Sequence, residues 1–173
     1  MDLADKMRDQ MGKIEGFLAG LPGIEGYKEK ELRREADRKV REMLAQLLED
    51  QRARLTGLQL DLLSSGGLEW VDDLERAVGK LQLLIDQVKT AAYGYAGFFD
   101  ALRVKEAELD RLAVFDRDMI QRATEVGERI DALAQAVEAR EEIGPALKGL
   151  LDLLTELSQL WRHRGEAMHR AAE

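Results

Sequence analysis

Cysteine is absent from the chain. That removes disulfides, thiolate-held metals and cysteine nucleophiles, and it fits a reducing compartment. Proline occurs only twice. No apolar run approaches the ~20 residues of a membrane-spanning helix, and the start MDLADKMRDQMGK lacks the apolar core of a signal peptide. A cytoplasmic protein is expected, with room for a place peripheral to the inner membrane. What is present is helical in character. Hydrophobic residues make up 45% and charged residues 35%, too apolar for a disordered chain, and Leu, Ala, Glu, Arg and Asp dominate as they do in bundles. The net charge of −8 argues against nucleic-acid binding. Tyr27 to Arg54 carries nine Lys/Arg against seven Asp/Glu, a local +2. With opposite charges a turn apart, that excess is weak attraction for phosphates.

Apolar residues recur at steps of three and four along nearly the whole chain. A first helix over residues 1–19 ends at the breaker Gly20-Leu21-Pro22-Gly23-Ile24-Glu25-Gly26. A second, over 27–64, would be about 57 Å long; Leu44, Leu48, Gln51, Leu55, Leu58 and Leu62 mark its seam. Ser64-Ser65-Gly66-Gly67 predicts a tight turn. A third element, 68–140, opens with Leu68, Val71, Leu74, Val78, Leu81, Ile85 and Val88. It closes with the cleanest heptad in the chain: Leu102, Leu109, Asp116, Ala123, Ile130 and Val137 at a, with Leu112, Met119, Val126 and Leu133 at d. Whether it kinks or breaks at 93–99 stays open. Gly144-Pro145 starts the last helix, 145–172, with Leu147, Leu150, Leu154, Leu157, Trp161 and Met168 on one face. The fold class is all-α: a single domain forming an elongated antiparallel bundle of coiled-coil-like hairpins.

Candidate chemistry is sparse. Asp116 occupies a buried a position, where a carboxylate must be paired, hydrogen-bonded or neutral. One reading is a register device paired with a facing cation, for which Arg52 and Arg54 of the second helix are candidates. The other is a ferritin-like carboxylate site with Asp100, Glu106 and Asp110. Such sites need Glu-x-x-His on two helices, and the chain holds one: Glu166-Ala167-Met168-His169, with His163 just before it. With Trp161 at a, His163, Glu166 and His169 fall at c, f and b, on the solvent side. No histidine accompanies a G-x-S-x-G nucleophile, and no P-loop is present. An enzyme is not expected, nor is a cofactor.

Four of the nine aromatic residues crowd into Tyr93-Gly94-Tyr95-Ala96-Gly97-Phe98-Phe99. From Thr90 to Leu102 the single charge is Asp100. Two readings stand: Tyr93, Tyr95, Phe98 and Phe99 fill the core where helix ends converge, or they form an exposed docking patch for a protein or a membrane surface. Lys89 and Arg103 are placed to meet headgroups in the latter case.

The run from Tyr93 through Asp100-Ala101 to Val104-Lys105-Glu106-Ala107-Glu108-Leu109-Asp110 and Phe115-Asp116, together with Leu21 to Tyr27 and Glu31 to Asp37, resembles a set of uncharacterised bacterial all-helical proteins encoded beside SPFH (band 7, stomatin-like) membrane-scaffold proteins. The resemblance spans about residues 20 to 118. It implies a protein partner at a membrane scaffold and carries no catalytic residues. The expectation is therefore a non-enzymatic interaction or scaffold protein. Self-association as a homodimer is expected because the long helices outlast those that cover them. A metal-binding bundle and a peripheral membrane binder are the alternatives.

Overall fold

A computed structural model describes residues 30–91 and 106–172. They form four α-helices and one 3-10 turn, with no strand among them: α1 (Lys30–Ser65), the turn Leu68–Trp70, α2 (Val71–Thr90), α3 (Glu106–Ala139) and α4 (Ile143–Ala172). The all-α expectation is met. The helix expected over 1–19, the rings of Tyr93, Tyr95, Phe98 and Phe99, and the continuity of 68–140 through that segment lie outside the described residues.

α1 and α2 form one hairpin and α3 and α4 the other, each packed more extensively within itself than against its neighbour. Between hairpins, α1 lies beside α3 and α2 beside α4. Both of these pairs run parallel. Gln51 meets Gly127 while Arg54 binds Asp131, and Trp70 lies over Gly144 while Lys80 reaches Thr155, so residue numbers rise together in both. The two turns therefore sit at the same end.

Each turn is built by a helix C-cap. After α1, Gly66 takes φ +88° and the Gly67 amide donates to Leu62 O at 2.9 Å, the bond pattern of a Schellman cap. A Cβ on Gly67 would stand 2.5 Å from Leu62 Cδ2. After α3 the same pattern recurs without glycine. The Arg140 amide donates to Val137 O at 3.2 Å and the Glu141 amide to Ala136 O at 3.1 Å, with Arg140 at φ 57°. A side chain in this left-handed region costs about 1–2 kcal/mol, against about 0.5–1 kcal/mol of extra backbone entropy for glycine. Arg140→Gly is accordingly expected to stabilise the protein by about 0.5–1 kcal/mol, read as a higher urea midpoint with an unchanged slope. Pro145 sits in the first turn of α4, where its missing N–H has no intrahelical acceptor.

The core follows the heptads. Leu44, Leu48, Leu55 and Leu62 of α1 are buried against Met119, Ala123, Val126, Ile130 and Leu133 of α3 and the leucine face of α4. On α2 the stripe differs from the sequence reading. Leu74, Ala77, Leu81, Leu84, Ile85 and Val88 are buried, whereas Val78 is only partly so. Leu68 is 68% exposed because it belongs to the 3-10 turn before the helix starts. α2 packs on both α1 and α4, so its inner face takes in the small Ala77 as well as the leucines.

Candidate functional site

Leu147, Leu150, Leu154, Leu157 and Trp161 set a heptad on α4 that places Arg164 at the next d position and Met168 at the following a. Carrying the α1 register back from Gln51 and Leu44 by sevens places Asp37 at d. Asp116 is at a on α3. Three ionisable side chains thus project from three helices into one layer, and their exposures are 0% for Arg164, 2% for Asp37 and 0% for Asp116.

Arg164 Nε donates to Asp116 Oδ1 at 2.5 Å, and its Nη2 donates to Asp37 Oδ1 at 3.0 Å. Its Nη1 faces Met168 Sδ at 3.1 Å, and the guanidinium carbon lies 5.2 Å from the Trp161 ring centroid, within cation–π range. Arg41, one helical turn along from Asp37, donates through Nε to the other Asp37 oxygen at 2.8 Å. Among the described residues, two cations thus meet two carboxylates. The planar fork of arginine suits this role, since separate N–H groups reach separate helices. The layer lies toward the end of the bundle away from the turns. α2 is described over 20 residues, against 36, 34 and 30 for α1, α3 and α4. α1 and α4, diagonal elsewhere, meet through Arg164 and Asp37.

Asp116 is paired with a cation on a facing helix, and that cation is Arg164, not Arg52 or Arg54. Arg54 instead donates to Gln51 Oε1 at 2.8 Å and pairs with Asp131 across α1 and α3. Arg52 is partly buried and makes no bond to Asp116. Asp116 meets α4 through Arg164. Arg164 was legible in the sequence as a d residue between Trp161 and Met168, since the same heptad places all three.

Of the residues named for a carboxylate metal site, Asp110 and Asp116 are the two with described side chains. Asp110 is exposed, Asp116 is held by Arg164, and no group of three His, Asp or Glu suited to a metal occurs among the described residues. His163, Glu166 and His169 are exposed, on the solvent face the heptad assigns them. Glu106 opens α3, and Asp100 lies outside the described residues. On the outer face of α1, Glu35 is held below the ordinary carboxylate range by its hydrogen bond to Lys39, aided by that ammonium's charge. Between the two turns lies an open cleft of about 410 Å³, floored by Leu62, Trp70 and Ile143 and edged by Glu69, Arg140 and Glu142. No histidine lines it beside Ser65, so the nucleophile–base pair of acyl transfer is missing there. No described helix is long and apolar enough to cross a membrane.

These features define an all-α bundle of two hairpins, joined at one end by a buried arginine between two aspartates. No family model matches the chain, and comparison with curated proteins and with solved structures finds no match either.

Proposed function

We propose that the chain is a non-enzymatic helical interaction module that self-associates and works beside a membrane-associated scaffold. The observation that carries this reading is how the buried ionisable groups are used. Asp37, Asp116 and Arg164 bind one another at 2.5–3.0 Å with exposures of 2% or less. Groups so enclosed join helices, whereas catalysis needs a polar group that a substrate can reach. The likeness of residues 20 to 118 to proteins encoded beside SPFH scaffolds supports the membrane-side partner.

The heptad seams are buried within one chain, so a second copy must use other surfaces than the leucine stripes. Light scattering on the eluting protein, with metal analysis of the same peak, tests the reading. A metal-free mass of two chains or more is expected. A monomer across the accessible concentration range would remove self-association, and stoichiometric iron, manganese or zinc would favour a metal-binding bundle instead. Co-sedimentation with anionic vesicles, lost on Phe98→Ser with Phe99→Ser, would make direct membrane binding through the aromatic segment the better account.

A further inference from the structure

The two hairpins meet along seams that nearly repeat every seven residues. On α1 these are Leu44, Leu48, Leu55 and Leu62; on α3, Leu112, Met119, Val126, Ile130 and Leu133; on α4, Leu147, Leu150, Leu154 and Leu157. Sliding one hairpin along the other by a heptad moves it about 10 Å and sets apolar residues against apolar residues again. Leucine seams alone therefore leave the register of docking poorly determined.

Beside the Arg54–Asp131 and Lys80–Thr155 contacts already described, three further contacts between the hairpins do not repeat. At the end away from the turns, Arg164 of α4 bridges Asp37 of α1 and Asp116 of α3. Midway, the buried Gln51 side chain fills the space over Gly127, where a Cβ would stand 2.7 Å from Nε2. At the turn end the Trp70 indole covers Gly144, where a Cβ would stand 3.0 Å from Cη2. A heptad slide would bring Gln51 against Ile120 or Ala134. It would also carry Asp37 about 10 Å from Arg164, leaving buried charges apart.

We infer that these three contacts are register pins: the Asp37–Arg164–Asp116 layer, Gln51 on Gly127 and Trp70 on Gly144 select one docking position of the α1/α2 hairpin on the α3/α4 hairpin. Their work is the exclusion of slid alternatives, as single polar residues do at the seams of coiled coils. The layer suits this because a buried ion pair adds little net stability over apolar residues, yet is costly to separate.

The cysteine-free chain allows a direct test by thiol cross-linking. Lys80 Nζ reaches Thr155 Oγ1 across α2 and α4 at 3.2 Å, so a Lys80→Cys/Thr155→Cys pair, bridged by a short bismaleimide that spans the lost lysine stem, reports the native register. Lys148 and Arg162 share the heptad position of Thr155, one heptad to either side. Lys80→Cys with Lys148→Cys and Lys80→Cys with Arg162→Cys therefore report the two slid registers. In the native background the first pair should be cross-linked in clear preference to the other two. In a background with Asp37→Leu, Gln51→Leu, Trp70→Leu, Asp116→Leu and Arg164→Met, helicity should persist while one or both slid pairs rise roughly tenfold in yield. An unchanged preference for the native pair in that background would overturn the inference. So would loss of helical structure there or in the charge-layer triple Asp37→Leu/Asp116→Leu/Arg164→Met, because the contacts would then be sources of stability and not of register.

Discussion

Replacing Arg164 by methionine is expected to destabilise the fold by about 3–5 kcal/mol, a large share of the 5–15 kcal/mol typical of a domain. The reason is the position of the carboxylates. Asp116 and Asp37 remain at 0% and 2% exposure, and the guanidinium that binds both of them is gone. Asp37 keeps its bond from Arg41, but both buried carboxylates lose the guanidinium that joins them, and breaking a buried ion pair from one side is costly. Equilibrium urea unfolding at neutral pH reads the change. Arg164→Lys should lose less, because it keeps the charge but cannot fork toward two helices with fixed geometry. The sharper comparison is the triple Asp37→Leu/Asp116→Leu/Arg164→Met, in which no buried charge of the trio is left behind. Its stability should equal or exceed that of the parent by up to about 4 kcal/mol. A single Arg164→Met variant that loses under about 1 kcal/mol would mean the carboxylates find water or another partner, contrary to the enclosed geometry.

The second large effect concerns α2, the shortest helix. Leu81→Ala should cost about 2–5 kcal/mol, the range for a fully enclosed leucine whose cavity closes only in part; Leu81 is 0% exposed and belongs to the cluster shared by all four helices. Leu83, two residues along the same helix, is 59% exposed. Leu83→Ala should change stability by no more than about 0.5 kcal/mol. The two variants remove the same atoms from the same helix, so helix propensity cancels between them and burial alone separates them. Thermal unfolding checks both. Equal losses would place the inner face of α2 elsewhere.

Much of this architecture is legible residue by residue. The α3 heptad reads from Leu112 to Leu133 with Asp116 among its a residues, and those positions are buried. Gly66-Gly67 marks the turn after α1 where expected, while Gly144-Pro145 lies in the first turn of α4, which starts at Ile143 and not at 145. The solvent side of α4 carries His163, Glu166 and His169, as their c, f and b positions require. Such features are local: periodicity records which face of a helix is apolar, and caps record where its hydrogen-bonded ladder stops. The start of α2 was less legible. Leu68 continues the apolar spacing by eye but belongs to the 3-10 turn, since propensity does not distinguish the last residue of a connection from the first of a helix.

The partner of Asp116 was harder to read for a different reason. A heptad names the residues that face inward without naming which neighbour they face. Arg52, Arg54 and Arg164 all supply the needed cation, and sequence separation does not rank them. Arg54 and Asp131 are 77 residues apart, and Arg164 and Asp37 are 127 apart. Only packing brings either pair together.

The inner faces of α1, α3 and α4 and the glycine turn after α1 were legible from the sequence alone, because they follow from interactions within a few residues of chain. Tertiary structure decided that the hairpins lie side by side with α1 parallel to α3 and α2 parallel to α4. It also decided that α1 meets α4 through Arg164 and Asp37. Those choices depend on shape and charge matching between segments far apart in the chain. Leucine seams accept several such matches, and a buried guanidinium between two carboxylates accepts very few.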